Sequence, residues 1–160
     1  MSGFSCNPSI IPAVPAGVEP VIANDGWFPD VDPVAFRRQM RIRDGVTPDR
    51  LREAILGAMI TVGDNLAAWR APLEAGGAAT LAAVPAPGLG GESRLLVLYR
   101  RALGAFAKAD LVERYRDMDL TGAGQRQVGD LDASIEELRR DGIFAIRDMI
   151  GRPRLLAELI

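Results

Sequence analysis

The chain has 160 residues, 48% of them hydrophobic and 25% charged, a mix that suits one compact domain. Its formal net charge is −2, which excludes a global basic field of the kind that draws proteins onto nucleic acid. It has no histidine and one cysteine, Cys6, which excludes an intrachain disulfide, a cysteine–histidine zinc cluster and the commonest general base.

Residues 1–31 carry Pro8, Pro12, Pro15, Pro20 and Pro29, which remove backbone donors and favour extended chain. Ile10, Ile11, Val14, Val18, Val21, Ile22, Trp27 and Phe28 lie between them and need cover. This predicts an extended arm lying on its own domain or on a neighbouring subunit. The arm begins without the basic start and unbroken apolar run of a secretion signal, and no stretch approaches the ~20 apolar residues that span a bilayer. Synthesis in the cytoplasm and no membrane partner are expected.

Asp32-Pro33 predicts a helix start, an N-cap followed by proline in the first turn, and Gly45 is the expected stop. The short helix between them has an arginine-rich outer face. Thr47-Pro48 repeats the start signal. Leu51, Ile55, Ala58, Val62, Leu66, Trp69 and Leu73 then recur at helical spacing to an end between Pro72 and Gly76. The Gly/Pro/Ala-rich run that follows reads as a loop with one helical turn at 80–84.

From Glu92 to about Met118 two apolar stripes run side by side, Leu95, Tyr99, Ala102, Phe106 and Leu98, Ala105, Ala109, Val112. A helix apolar on two sides is expected at the centre of a bundle. Ala102, Gly104, Ala105, Ala107 and Ala109 would let a neighbour approach closely. A last helix, capped by Asp130 or Asp132, presents Leu131, Ile135, Leu138, Ile146 and Ile150 and is stopped by Gly151 and Pro153. No run alternates as a strand should. The predicted class is all-α: a bundle of three to four helices over 32–151, an extended arm over 1–31 and a short apolar tail over 152–160.

Chemistry is sparse. The carboxylate pairs Asp30/Asp32, Asp117/Asp119, Asp130/Asp132 and Glu136/Glu137 sit at helix edges or on solvated faces, where capping and solubility explain them. No metal-loop spacing accompanies them. The segment LTGAGQRQVGD (120–130) spaces Gly124 and Gly129 as a phosphate loop would, but Asp130 stands where that loop needs lysine and a helix precedes it where a strand is required. Gly122, Gly124, Arg126 and Gly129 therefore read as a mobile connection. Neither a catalytic residue nor a cofactor or metal site is expected. The residues alone support a helical protein-interaction module, or a small nucleic-acid-binding module using the arginine pairs.

Several pieces recur in order: FPDVDP (28–33), TPDRLREAI (47–55), GES (91–93), YRRAL (99–103), KADLVERYRDMD (108–119), SIEELRRD (134–141) and GRPR (151–154). Together they resemble the head-completion (GPL) family of contractile-tailed temperate bacteriophages. The resemblance implies a structural protein of the virion neck, made in the host cytoplasm, a head–tail connector without enzymatic activity. Implied partners are the portal protein, neighbouring copies in a homo-oligomeric ring (twelve-fold in related connectors), and a tail terminator or completion protein. Packaged DNA would pass through the channel without specific binding. In that frame Trp27 and Phe28 are expected to anchor the arm on the bundle or a neighbour. Arg114 and Arg116 are candidates for partner contact, and Arg152, Arg154, Leu155, Leu156 and Ile160 for docking on the portal.

Overall fold

A computed structural model of the chain describes residues 19–116 and 134–153, apart from the side chains of 115 and 116. The described residues form four α-helices: α1 (Pro33–Met40), α2 (Pro48–Ala75), α3 (Arg94–Arg116) and α4 (Ile135–Met149). α3 is the centre, packed between α2 and α4 and touched by α1. Leu95, Tyr99 and Ala102 of one predicted stripe and Leu98, Ala105 and Ala109 of the other are buried, while Phe106 and Val112 are half-buried; Leu103, Ala107 and Leu111, in neither stripe, are buried as well.

Both proline-marked starts hold. The Asp32 carboxylate accepts from Val34 N–H at 2.9 Å, and the Thr47 hydroxyl accepts from Arg50 N–H at 3.4 Å. Along α2, Leu51, Ile55, Ala58, Val62 and Leu66 are buried, with Trp69 and Leu73 packed against the core. At 1.5 Å per residue its 28 residues run for about 42 Å.

Three helices end on a left-handed residue, after which a backbone N–H reaches back to the last turn. In α2, Gly77 (φ 95°) turns the chain, and Gly77 and Ala78 donate to the carbonyls of Glu74 and Leu73. In α4, Gly151 (φ 70°) turns the chain and Arg152 N–H donates to the Arg147 carbonyl. α1 closes on Arg41, a non-glycine residue at φ 52°, with Arg41 and Ile42 donating to Arg38 and Arg37. The helix thus stops before the expected Gly45. The early turn lets Ile42 pack on the core and Val46 enter it, which outweighs a backbone cost of about 1 kcal/mol.

Two more differences have local causes. The linker holds a β-hairpin, β1 (Gly88–Leu89) with β2 (Glu92–Ser93), turned by Gly90 (φ 60°) and Gly91 (φ 86°). Two-residue strands are too short for alternation to register in sequence. α4 is capped by Ser134 rather than by Asp130 or Asp132. The Ser134 hydroxyl accepts from Glu137 N–H at 3.2 Å while the Glu137 carboxylate accepts from Ser134 N–H at 2.8 Å, a reciprocal cap that satisfies two end donors. The expected helical turn after α2 is a 3-10 turn, Leu81–Ala83, capped by Thr80.

Candidate interaction surfaces

The segment preceding α1 is built into the chain's own bundle. Ile22 and Val31 pair as an isolated bridge, each N–H donating to the other's carbonyl at 2.8 and 3.0 Å, which closes residues 22–31 into a loop. Asp25 shapes its tip by accepting from the N–H groups of Trp27 and Phe28 at 3.0 and 3.1 Å. The two aromatics then point inward and are 4% and 5% exposed. Phe28 stacks on Tyr99, centroids 4.7 Å apart, and Trp27 meets Trp69 edge-on at 6.2 Å. The indole N–H of Trp27 donates to Ala78 carbonyl at 2.9 Å, on the turn that ends α2, and Trp27 carbonyl accepts from Leu81 N–H at 2.9 Å. In this fold Trp27 and Phe28 belong to the core, not to a free surface.

Arg70 closes the loop from outside. Its guanidinium lies 4.9 Å from the Trp27 ring centre and 5.3 Å from that of Phe28, while it pairs with Asp25 and Glu74. A planar, always-charged fork can stack and pair at once; a lysine ammonium cannot. Burial pushes the Asp25 carboxyl up, but hydrogen bonds from Phe28, Arg70 and Trp27 outweigh it and hold the group below the usual range. Burial pushes the Tyr99 hydroxyl up to about 12, against the opposing effect of the hydrogen bond it accepts from Asn24.

Beside this loop, α2 leaves an open groove of about 720 Å³ lined by Asn24, Asp25, Met59, Ile60, Ala67 and Glu74 among others. It holds carboxylates and apolar side chains but pairs no nucleophile with a base. Among the described residues no group of three histidine, cysteine or carboxylate side chains could hold a metal ion. Nor, among them, is any helix long and apolar enough to cross a membrane.

The other sequence-predicted residues are placed unevenly. Arg114 is on the exposed side of α3 and pairs with Asp110 one turn earlier at 3.0 Å. Arg116 is the last residue of α3. Arg152 is exposed just after α4. Gly122, Gly124, Arg126, Gly129, Arg154, Leu155, Leu156 and Ile160 lie outside the described residues. The arginines also bind elements together, as Arg139 of α4 does with Glu113 of α3 at 2.6 Å and Arg37 of α1 with Glu19 at 2.7 Å. Sequence reasoning overlooked one clamp: Arg147 Nε donates to the Pro153 carbonyl at 2.8 Å, fixing where the chain leaves α4.

The described residues thus form a helical bundle with an aromatic-pinned strap and ion pairs between its elements. The family model for phage head completion protein (GPL) matches residues 22–160. The chain belongs to that family. The family is structural, and the chain is a virion component rather than an enzyme. A relative from Escherichia phage P2, a head completion/stabilization protein, is 42% identical over 146 residues, covering 91% of this chain and 86% of its own length. No solved structure matches. The match begins at Ile22, where the described loop closes onto Val31.

Proposed function

We propose that this head completion protein acts at the virion neck. It joins the portal ring of a DNA-filled head, associates there with neighbouring copies as a ring of twelve, and offers the outer side of that ring to tail-completion proteins. Closed rings are built from heterologous contacts, one face of a subunit on the opposite face of the next. A bundle stiffened by an internal strap is suited to present such faces without reshaping.

The observation that carries the reading is the clamp at the end of α4. Arg147 holds Pro153 by its carbonyl, and Gly151 turns the backbone just before it. The apolar tail RLLAELI (154–160) therefore starts from a fixed point, as a docking segment for the portal should. A truncation that removes residues 154–160 keeps both residues of the clamp, Arg147 and Pro153. Particles assembled with that truncation should lose DNA or fail to join tails in electron micrographs. Normal tailed particles from the truncated protein would reject the docking role.

A further inference from the structure

The chain's charge is most uneven where α1 hands over to α2. Residues 37–53 hold six arginines and three carboxylates, a net of +3 in a chain whose total is −2, so the remainder carries −5. Arg37 is held by Glu19. The other five, Arg38, Arg41, Arg43, Arg50 and Arg52, are all exposed, Arg43 and Arg50 while also engaged within the chain. The short turn between Met40 and Pro48 gathers them at one end of the bundle. The N-terminus of the long helix α2 opens at the same end and adds the positive pole of its dipole.

Arg41 sharpens the observation. Of the three helices that end on a left-handed residue, two use glycine there and α1 uses arginine at φ 52°. Glycine takes that conformation without strain. Strained backbone persists where a side chain is needed in a given place.

The patch also lacks what a protein partner would grip. The large hydrophobic side chains exposed among the described residues are Val21, Val34, Ile60, Leu89 and Ile143, none of them within 37–53. Protein interfaces centre on buried aromatic and aliphatic anchors and are depleted of charge there. Nucleic-acid interfaces are polar and basic, with most contacts made to phosphates. We propose that this end of the bundle is a docking surface for the phosphate backbone of duplex DNA, without sequence preference, contacted by Arg38, Arg41, Arg43, Arg50 and Arg52. The acidic remainder of the chain repels DNA, so the duplex is met in one orientation. This surface is independent of the tail docking proposed above.

The test is fluorescence anisotropy of a labelled random-sequence duplex titrated with the full-length protein. With four to five phosphates neutralised, log K should fall against log salt with a slope of roughly −4, a loss on the order of 200-fold between about 50 and 200 mM. Arg38→Ala/Arg52→Ala should flatten the slope by about 2. Arg41→Gly should flatten it by about 1 while raising Tm by a few degrees, a combination that a merely structural arginine would not give. Three results would overturn the proposal: no binding at ~50 mM salt with protein near 100 μM, slopes unchanged in the variants, or polyglutamate bound more tightly than the duplex. The last would assign the surface to an acidic protein instead.

Discussion

Asn24 Nδ2 donates to the Tyr99 hydroxyl at 2.8 Å, joining the loop before α1 to the central helix across 75 residues of sequence. The same amide nitrogen donates to the Pro29 carbonyl at 3.2 Å, and the Tyr99 ring carries Phe28. One side chain thus holds the loop twice, its hydroxyl through Asn24 and its ring through Phe28. Tyr99→Phe keeps the stacked ring and removes the bond, so it should cost about 1 kcal/mol in urea denaturation. The variant should also change the alkaline response. Tyr99 keeps its proton to about pH 12 in the folded chain, against an ordinary value of 10.0. Stability is therefore intact below pH 10 and lost as pH rises from there toward 12, by about 2–3 kcal/mol in total. Tyr99→Phe should lack that loss, and equal alkaline slopes in both proteins would refute the assignment.

Asp25 organises the tip of the same loop. It accepts from Trp27 and Phe28 and faces Arg70. Asp25→Ala should cost about 1–2 kcal/mol, the range for loss of a carboxylate that caps backbone donors. Asp25→Asn keeps an acceptor and should cost less at neutral pH. The carboxyl is held below its ordinary value of 3.8, so its stabilisation is present above that pH and disappears as pH falls below it. Acid titration followed by circular dichroism should find Asp25→Asn less sensitive than the native chain below pH 4, even though it starts less stable.

These two cases show what a one-dimensional reading could reach. Asp32-Pro33 and Thr47-Pro48 announce helices because capping is settled within four residues. The α2 stripe is legible because its period holds from Leu51 to Leu73, about six turns. Trp27, in contrast, reads only as an apolar residue in need of cover. Its cover comes from Trp69, Ala78 and Arg70, about 40 to 50 residues away. Arg41 replaces the glycine that normally marks a helix end, so the sequence points instead to Gly45. The clamp between Arg147 and Pro153 gave no signal, since a side chain reaching a backbone carbonyl leaves no pattern in residue types.

α4 is capped at Ser134, later in the chain than its aspartates suggest. Asp130 and Asp132 are good capping types, but Ser134 with Glu137 three residues later completes the reciprocal box. The Glu137 carboxyl is held low by the Ser134 backbone and side chain, which agrees with that geometry. Ser134→Ala should therefore cost about 1 kcal/mol. Hydrogen exchange should quicken at the first turn of α4 and stay unchanged in α2. Uniform acceleration across the bundle would mean that the cap governs more than its own helix end.

Helix packing offers the sharpest contrast between two substitutions. A Cβ on Gly104 of α3 would stand 2.6 Å from Met40 Sδ, and one on Gly142 of α4 would stand 2.7 Å from the Phe106 ring. Both changes to alanine gain up to about 1 kcal/mol of helix propensity. They differ in what must yield. Met40 is a flexible, partly buried thioether at the end of α1 and can swing aside. Phe106 is a rigid ring between α3 and α4, so the helices must separate instead. Gly104→Ala should be near neutral, within ~0.5 kcal/mol, whereas Gly142→Ala should lose about 1–2 kcal/mol after the propensity gain. Pairing Gly142→Ala with Phe106→Leu should recover part of that loss. If the double variant in urea denaturation is less stable than the sum of the two single changes, the steric account of α3–α4 contact fails.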